Sequence, residues 1–587
     1  MNKSAIYHRP ESEFAFLYTD DRMRIRVKTA RNDIQTVRLV YGDHYEFASK
    51  KWYQKSVPMT KGLATETSDY WELEVMVPFK RISYGFILTA TDGEQLFYGD
   101  QGLFPAAKGF IDQDNLYFRL PYFHGIDRFK TPDWVRQTVW YQIFPERFKN
   151  GDPTNDPAGT LPWGSKRPGR ADFFGGDLKG IIEELDYLKE LGVNGIYLCP
   201  IFTSPSNHKY DTVDYLEVDP HFGDKTLFQK LVQEAHKRDM KVMLDAVFNH
   251  LGASSKQWQD VLTHGADSRY ADWFHIHSFP VKYEPLPDSA ELAENITYDT
   301  FSFVPNMPKL NTANPEVQDY LLGIALYWIK EFDIDGWRLD VANEVDHHFW
   351  KKFHEVVLTE KSDLYILGEI WHSAQSWLAG DEFHAVMNYA FTDNMKAFFA
   401  KQKIAASQMI AGMNRQQMLY RDQANEVAFN LLDSHDTPRI LTVCGGDKEL
   451  MKSLFAFLFL QKGTPCLYYG TEIGLEGEMD PDNRRCMIWD ETQQDRALFT
   501  FMQLLIKLRK KYVDVLSFGK LHWVSVDDPK KQLIFERCHQ GKRLRCIFNA
   551  GSELMTAEKR GQEVLSQLKE EDEKIYLHPN GFYIEEC

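Results

Sequence analysis

The sequence lacks any paired-cysteine pattern. Its seven cysteines stand singly with no C-x-x-C, so neither a disulfide framework nor a thiolate zinc site is indicated, and a reducing compartment fits. Long apolar runs are missing as well: nothing approaches the roughly 18 residues a membrane span needs, and no membrane partner is expected. The N-terminal MNKSAIYHRPESEF lacks the apolar core of a secretory signal, and the chain is expected in the cytoplasm. Positive charge is in deficit. Against 85 Asp and Glu there are 68 Lys and Arg, a net charge of -17, whereas a nucleic-acid partner calls for clustered cations. Internal repeats and low-complexity tracts are also absent.

What is present is enough chain, 587 residues, for several cores. Residues 1–125 carry short β-rich runs such as MRIRVKTA, TVRLVYG, YWELEVMVP and ISYGFILTA between Asp, Gly and Pro turns, and read as an N-terminal β-sandwich. From 126 to 504 short apolar runs alternate with amphipathic helical segments, VWYQIFP with LKGIIEELDYLKELG, GIYLCP with TLFQKLVQEAHKR, KVMLDAVFNH with EVQDYLLGIALYWIKEF. GWRLDV, LYILGEIW, AVMNYAF, VAFNLLD and TPCLYYG bring the strands to eight, the count of a (β/α)8 TIM barrel, an α/β fold; a doubly wound open sheet is the alternative. A segment rich in aromatics, Pro and His, residues 250–312, interrupts the pattern after barrel strand 3 and reads as a functional insert. Residues 505–587 return to β-like runs and suggest a C-terminal antiparallel β domain.

In GWRLDVANE, residues 336–344, Arg338 and Asp340 alternate and share one face of a strand. A structural ion pair in a core would account for them alone. If the barrel holds, however, its strand ends also collect Asp245, Asn249 and His250 from the third strand, Glu369 and Trp371 from the fifth, and His435 and Asp436 from the seventh. Several acids at one barrel mouth repel one another and raise a pKa among them; paired carboxylates with one held protonated are what glycoside hydrolysis needs.

DAVFNH, GWRLDVANE, LGEIW and LLDSHD, in this order, resemble the four signature segments of the α-amylase superfamily, glycoside hydrolase family thirteen. VANE and MPKLN, residues 307–311, are similar to its neopullulanase, cyclomaltodextrinase and maltogenic amylase subgroup, as is the N-terminal β-domain, so the resemblance covers essentially the whole chain. It implies hydrolysis and transglycosylation of cyclodextrins, pullulan and maltooligosaccharides with retention of configuration. Asp340 takes the place of the nucleophile, oriented and kept ionised by Arg338; Glu369 that of the general acid/base; Asp436 that of the acid that stabilises the distorted sugar. The resemblance makes His250 and His435 hydrogen-bonding partners of the sugar, with metal ligation the alternative, and Tyr210 its stacking platform unless that ring merely packs. Asp480 and Arg484 of DPDNRR match additional sugar contacts, although DPDN is also an ordinary turn; Trp371 would line the acceptor side.

The loop NGDPTND offers Asn150, Asp152, Asn155 and Asp156 as hard oxygen ligands, in residue types that equally make turns. The resemblance completes a structural calcium site there with Gly175 and Asp177. It also implies a homodimer in which the N-terminal domain leans over the partner's active site; a carbohydrate-binding or merely stabilising domain is the alternative. The rival functions are an exo-acting α-glucosidase of the same superfamily and a non-catalytic relative, such as the transporter heavy chains, which have lost acids that this chain keeps.

Overall fold

The alternating middle of the chain closes into an eight-stranded parallel barrel in the computed structural model, which describes residues 1–46, 51–289, 291–572 and 574–587. The strands are β1 (Trp140–Ile143), β2 (Gly195–Leu198), β3 (Lys241–Ala246), β4 (Gly336–Leu339), β5 (Tyr365–Gly368), β6 (Ala385–Val386), β7 (Phe429–Asn430) and β8 (Thr464–Tyr468). Their order in the sheet is β6-β5-β4-β3-β2-β1-β8-β7, and a parallel bridge from Met387 to Phe429 joins its two ends. That bridge excludes the open sheet. β1, β2, β4 and β5 are buried at every residue, as parallel strands covered on both faces must be, so their sequences run apolar instead of alternating. Trp140, Tyr197, Met243, Tyr365, Leu367 and Phe429 fill the interior with side chains.

Helix Pro315–Phe332 shows why the covering layer forms where it does. Asn314 caps it by accepting from the Glu316 N–H, proline occupies its first turn, and Val317, Leu321, Ile324, Trp328 and Phe332 form its buried stripe. It stops at Asp333, in the left-handed region at φ 54°, just before β4.

The insert after β3 has a small core of its own. Trp258, on the helix Lys256–His264 capped by Ser255, packs against Phe274 and Tyr298 with ring centroids 4.8 and 4.6 Å away. A bridge between His250 and Lys309 ties both ends of the insert to the end of β3.

Two domain edges differ from the sequence expectation. Residue 505 lies inside the helix Arg496–Lys511, whose buried Leu498, Met502, Leu505 and Arg509 keep helical spacing, and the C-terminal antiparallel sheet begins only at Lys520. The N-terminal unit, two antiparallel sheets packed through Ile25, Val27, Val37, Leu39, Trp71 and Phe86, extends beyond 125 to Lys130 and takes in 375–380 and 404–425. The reason is local: Arg26 is 1% exposed and needs an anion, which Asp422 supplies at 2.6 Å.

Asp335, just before β4, gathers His236 at 2.7 Å, Lys241 at 2.9 Å and Lys361 at 3.3 Å. Burial works to raise its pKa, but these partners prevail and hold it at about 2. The unfolded value is about 3.9, so this stability is full above pH 4 and is lost as pH falls toward 2. Asp335→Asn is expected to cost about 2 kcal/mol at pH 7 by denaturant unfolding, a difference that shrinks as pH falls toward 2; an equal cost at both ends would contradict the ion-pair account.

Candidate active site

Sheet register assembles the site. Asp245 on β3 pairs across to Arg338 on β4, and Arg338 pairs to Leu367 on β5, two residues before Glu369. The ladder continues past the strand ends, with Asp340 N–H donating to Ala246 O and Glu369 N–H to Leu339 O, both at 2.9 Å, so the acids ride on rigid backbone.

Arg338 is fully buried and holds three carboxylates. One guanidinium nitrogen donates to both Asp245 oxygens at 3.0 Å and to Asp340 Oδ1 at 2.6 Å; the other lies 2.9 Å from Glu369 Oε2. Glu369 Oε2 also accepts from Val341 N–H at 3.0 Å and Oε1 from the Trp371 indole at 3.2 Å. One cation among three acids leaves the cluster short of positive charge. Burial therefore pushes Asp340 well above the usual carboxylate range and Asp245 up to about 6, against the pull of Arg338. This corrects the expectation that the adjacent guanidinium would hold Asp340 low: desolvation and the neighbouring acids outweigh it.

The remaining groups are tied into the same network. Gln142 Nε2 donates to His435 Nδ1 at 2.7 Å, which leaves the Nε2 proton facing the Tyr210 hydroxyl at 2.6 Å and Asp436 Oδ2 at 3.1 Å; Tyr210 in turn donates to Asp245 at 3.0 Å. The Tyr210 and His435 rings lie parallel with centroids 5.3 Å apart. His250 hydrogen-bonds Tyr210 O through Nε2 at 3.0 Å. Burial lowers His250 to about 4 and holds His435 well below the usual histidine range, so both are neutral at pH 7. Burial also raises Asp436, against Arg484 at 3.4 Å; Arg484 pairs with Asp480 at 2.9 Å.

Asp340, Glu369, Asp436, His250, His435, Tyr210, Trp371, Asp480 and Arg484 all line one cavity of about 750 Å³, with Arg338 beneath them. Sequence reasoning passed over Gln142, Tyr197 and Tyr389. Tyr197 donates to Asp245 at 2.6 Å, and Tyr389 stacks on Trp371 at 3.7 Å with the rings 3° from parallel. The signal for Gln142 was legible, a lone amide inside the apolar run VWYQIFP. Nothing local marked the tyrosines.

The six loop residues gather apart from this cavity. The Asn150 amide donates to both Asp156 oxygens at 2.9 and 3.1 Å, and a Cβ on Gly175, at φ 83°, would collide with those two side chains. Asn150 Oδ1 and Asn155 Oδ1 are buried with no hydrogen-bond donor among the described residues, and orphaned amide oxygens beside a carboxylate fit a hard cation such as calcium. Asp177 fits less directly, because its carboxylate already accepts from the N–H groups of Gly151, Asp152 and Gly180. Asp152 caps a short helix through Thr154 and is part-exposed. Among the described residues no group of three His, Cys, Asp or Glu is placed to hold a metal, so Asn and backbone oxygens would have to take part.

Comparison with known proteins agrees with this geometry. Residues 142–517 match the alpha amylase catalytic domain and residues 1–124 the alpha amylase N-terminal Ig-like domain. The chain is 53% identical over 552 residues to the intracellular maltogenic amylase of Bacillus subtilis, covering 94% of this chain and 92% of that protein. It is 43% identical over 575 residues to neopullulanase 2 of Thermoactinomyces vulgaris, covering 98% and 94%. A solved cyclomaltodextrinase structure superposes over the full length of both chains with a TM-score of 0.91 at 42% identity. With its barrel, its cluster of acids and its N-terminal sheets all matched, the chain belongs to the alpha-amylase family of glycoside hydrolases.

Proposed function

We propose that the protein is a retaining α-glucan hydrolase and transglycosylase that cleaves α-1,4 and some α-1,6 glucosidic bonds in cyclodextrins, pullulan and maltooligosaccharides. The observation that carries this is the pair Asp340 and Glu369 on the two terminal nitrogens of one guanidinium at the floor of the cavity. The names of the relatives, cyclomaltodextrinase, maltogenic amylase and neopullulanase, support the substrate class.

In this reading Asp340 attacks the anomeric carbon while Glu369 gives its proton to the glycosidic oxygen; Glu369 then takes a proton from water or from a sugar hydroxyl, which displaces Asp340. Positive charge growing on the sugar favours ionised Asp340. Asp436 would accept hydrogen bonds from ring hydroxyls as the sugar distorts. Neutral His250 and His435 can bond hydroxyls without adding charge, and Tyr210 offers its ring face. On the acceptor side Trp371, 47% exposed over Tyr389, makes an apolar platform that favours a sugar over water.

The reading extends to a structural calcium held by Asn150, Asn155, Asp156 and Gly175 O, with Asp152 and Asp177 supporting the loop. It extends also to a homodimer through the N-terminal unit, where Tyr45, Met76, Phe79, Tyr122 and Ile126 are exposed, and to a cytoplasmic location. The relative named intracellular supports the last point, as do cysteines that are all unpaired and mostly buried.

Initial rates on β-cyclodextrin, pullulan and soluble starch, with products identified, test the proposal. Rapid opening of cyclodextrin to maltose and glucose, panose from pullulan and slow attack on starch are expected; inactivity on all three would overturn it. The acid limb of kcat/KM should lie above the usual carboxylate range, because Asp340 must lose its proton to attack, and Asp245→Asn, which removes a neighbouring negative charge, should move that limb to lower pH. A limb at about pH 4 in both proteins would contradict the crowded cluster. Chelation with EDTA should lower the thermal midpoint of the wild type and leave Asp156→Ala unresponsive; an unchanged midpoint in the wild type would exclude the ion.

A further inference from the structure

Ion pairs of alternating sign run from the acid cluster to the cavity rim. Asp436 pairs with Arg484 at 3.4 Å, Arg484 with Asp480 at 2.9 Å, Asp480 with Arg170 at 3.3 Å, and Arg170 with both carboxylate oxygens of Glu291 at 3.0 and 3.2 Å. All five side chains line the cavity. The last rung joins two loops far apart in sequence, the one after β1 that carries Arg170 and the insert after β3 that carries Glu291.

The two ends of this rung are anchored differently. Asn207, itself buried, donates to Arg170 O at 2.7 Å and to Asp172 O at 2.8 Å, which fixes the backbone beneath the guanidinium. Glu291 lies between the paired two-residue strands Glu284–Pro285, which is exposed, and Ala293–Glu294, of which Ala293 is buried. Arg170 and Glu291 are 57% and 48% exposed, so the contact is in water and can open.

The ladder leaves the acid cluster through Asp436, whereas the acceptor platform Trp371 is bonded to Glu369. The two therefore leave the cluster by different acids. We propose that the Arg170–Glu291 pair is the end wall of the donor side, limiting how many sugar units fit before the cleaved bond and so fixing short products. A longer donor chain would have to pass between the two loops and separate the pair. This inference rests on the α-glucan hydrolase reading and adds to it the residues that set product length.

The test compares the wild type with Glu291→Ala, Arg170→Ala and the double variant on β-cyclodextrin and soluble starch, with products resolved by length. Exposed side chains can be removed with little effect on folding, which the thermal midpoints would check. The expected result is maltotriose and longer sugars among the starch products and a starch-to-cyclodextrin rate ratio raised about two- to five-fold, the factor an exposed ion pair is worth. The double variant should resemble Arg170→Ala, since removing Arg170 already breaks the contact to Glu291. The wild type moved from about 0.1 M to about 1 M salt, which shortens the screening length from roughly 10 Å to roughly 3 Å, should shift in the same direction. Wild-type product lengths and rate ratio in Glu291→Ala would overturn the wall. Inactivity of the wild type on both glucans would instead overturn the reading on which it rests, and the wall with it.

Discussion

A single guanidinium, that of Arg338, is the charge around which the barrel mouth is built. It is wholly buried and makes close contacts to Asp245, Asp340 and Glu369, each contributed by a different strand end. Without it three carboxylates could not share that volume; with only one of it, they cannot all be ionised without cost. The arrangement therefore keeps a proton within the group of acids at pH values where isolated carboxylates would have lost theirs. Glycosidic cleavage by paired carboxylates requires that asymmetry, one acid protonated and one ionised.

The backbone contributes to the same arrangement. Val341, directly after Asp340, sits at φ 47° in the left-handed region, where a β-branched residue is strained by about 1–3 kcal/mol. In that conformation its N–H reaches Glu369 Oε2, so the strain turns a backbone donor onto the acid while β4 still carries Asp340. Rigidity comes from the sheet beneath. The interstrand hydrogen bonds run without a break into Asp340 and Glu369, and the Gln142–His435–Tyr210–Asp245 chain fixes the aromatic side of the pocket.

Much of this was legible in the sequence because it depends on short-range rules. Period-two and period-3.6 patterning located the strands and helices, and strand-end acids in the four ordered motifs located the site. What was not legible depends on distance in the chain. The fate of 404–425, packed against the N-terminal sheets through Asp422 and Arg26, follows from a buried charge nearly 400 residues from its partner. The raised Asp340 could not be read from GWRLDV, where the only visible neighbour is a cation; the opposing charges come from β3 and the end of β5. Tyr389, expected within a strand, begins a helix whose ring supports Trp371, a consequence of β6 ending after two residues.

The most direct test of this account is to identify the residue that becomes covalently bonded to sugar. A 5-fluoro-α-glucosyl fluoride, which slows breakdown of a glycosyl-enzyme, followed by proteolysis and mass spectrometry, would locate the bond. The account predicts a glucosyl ester on the peptide containing Asp340 and products of retained configuration. A label on Glu369 or Asp436, or inverted products with no label, would contradict it.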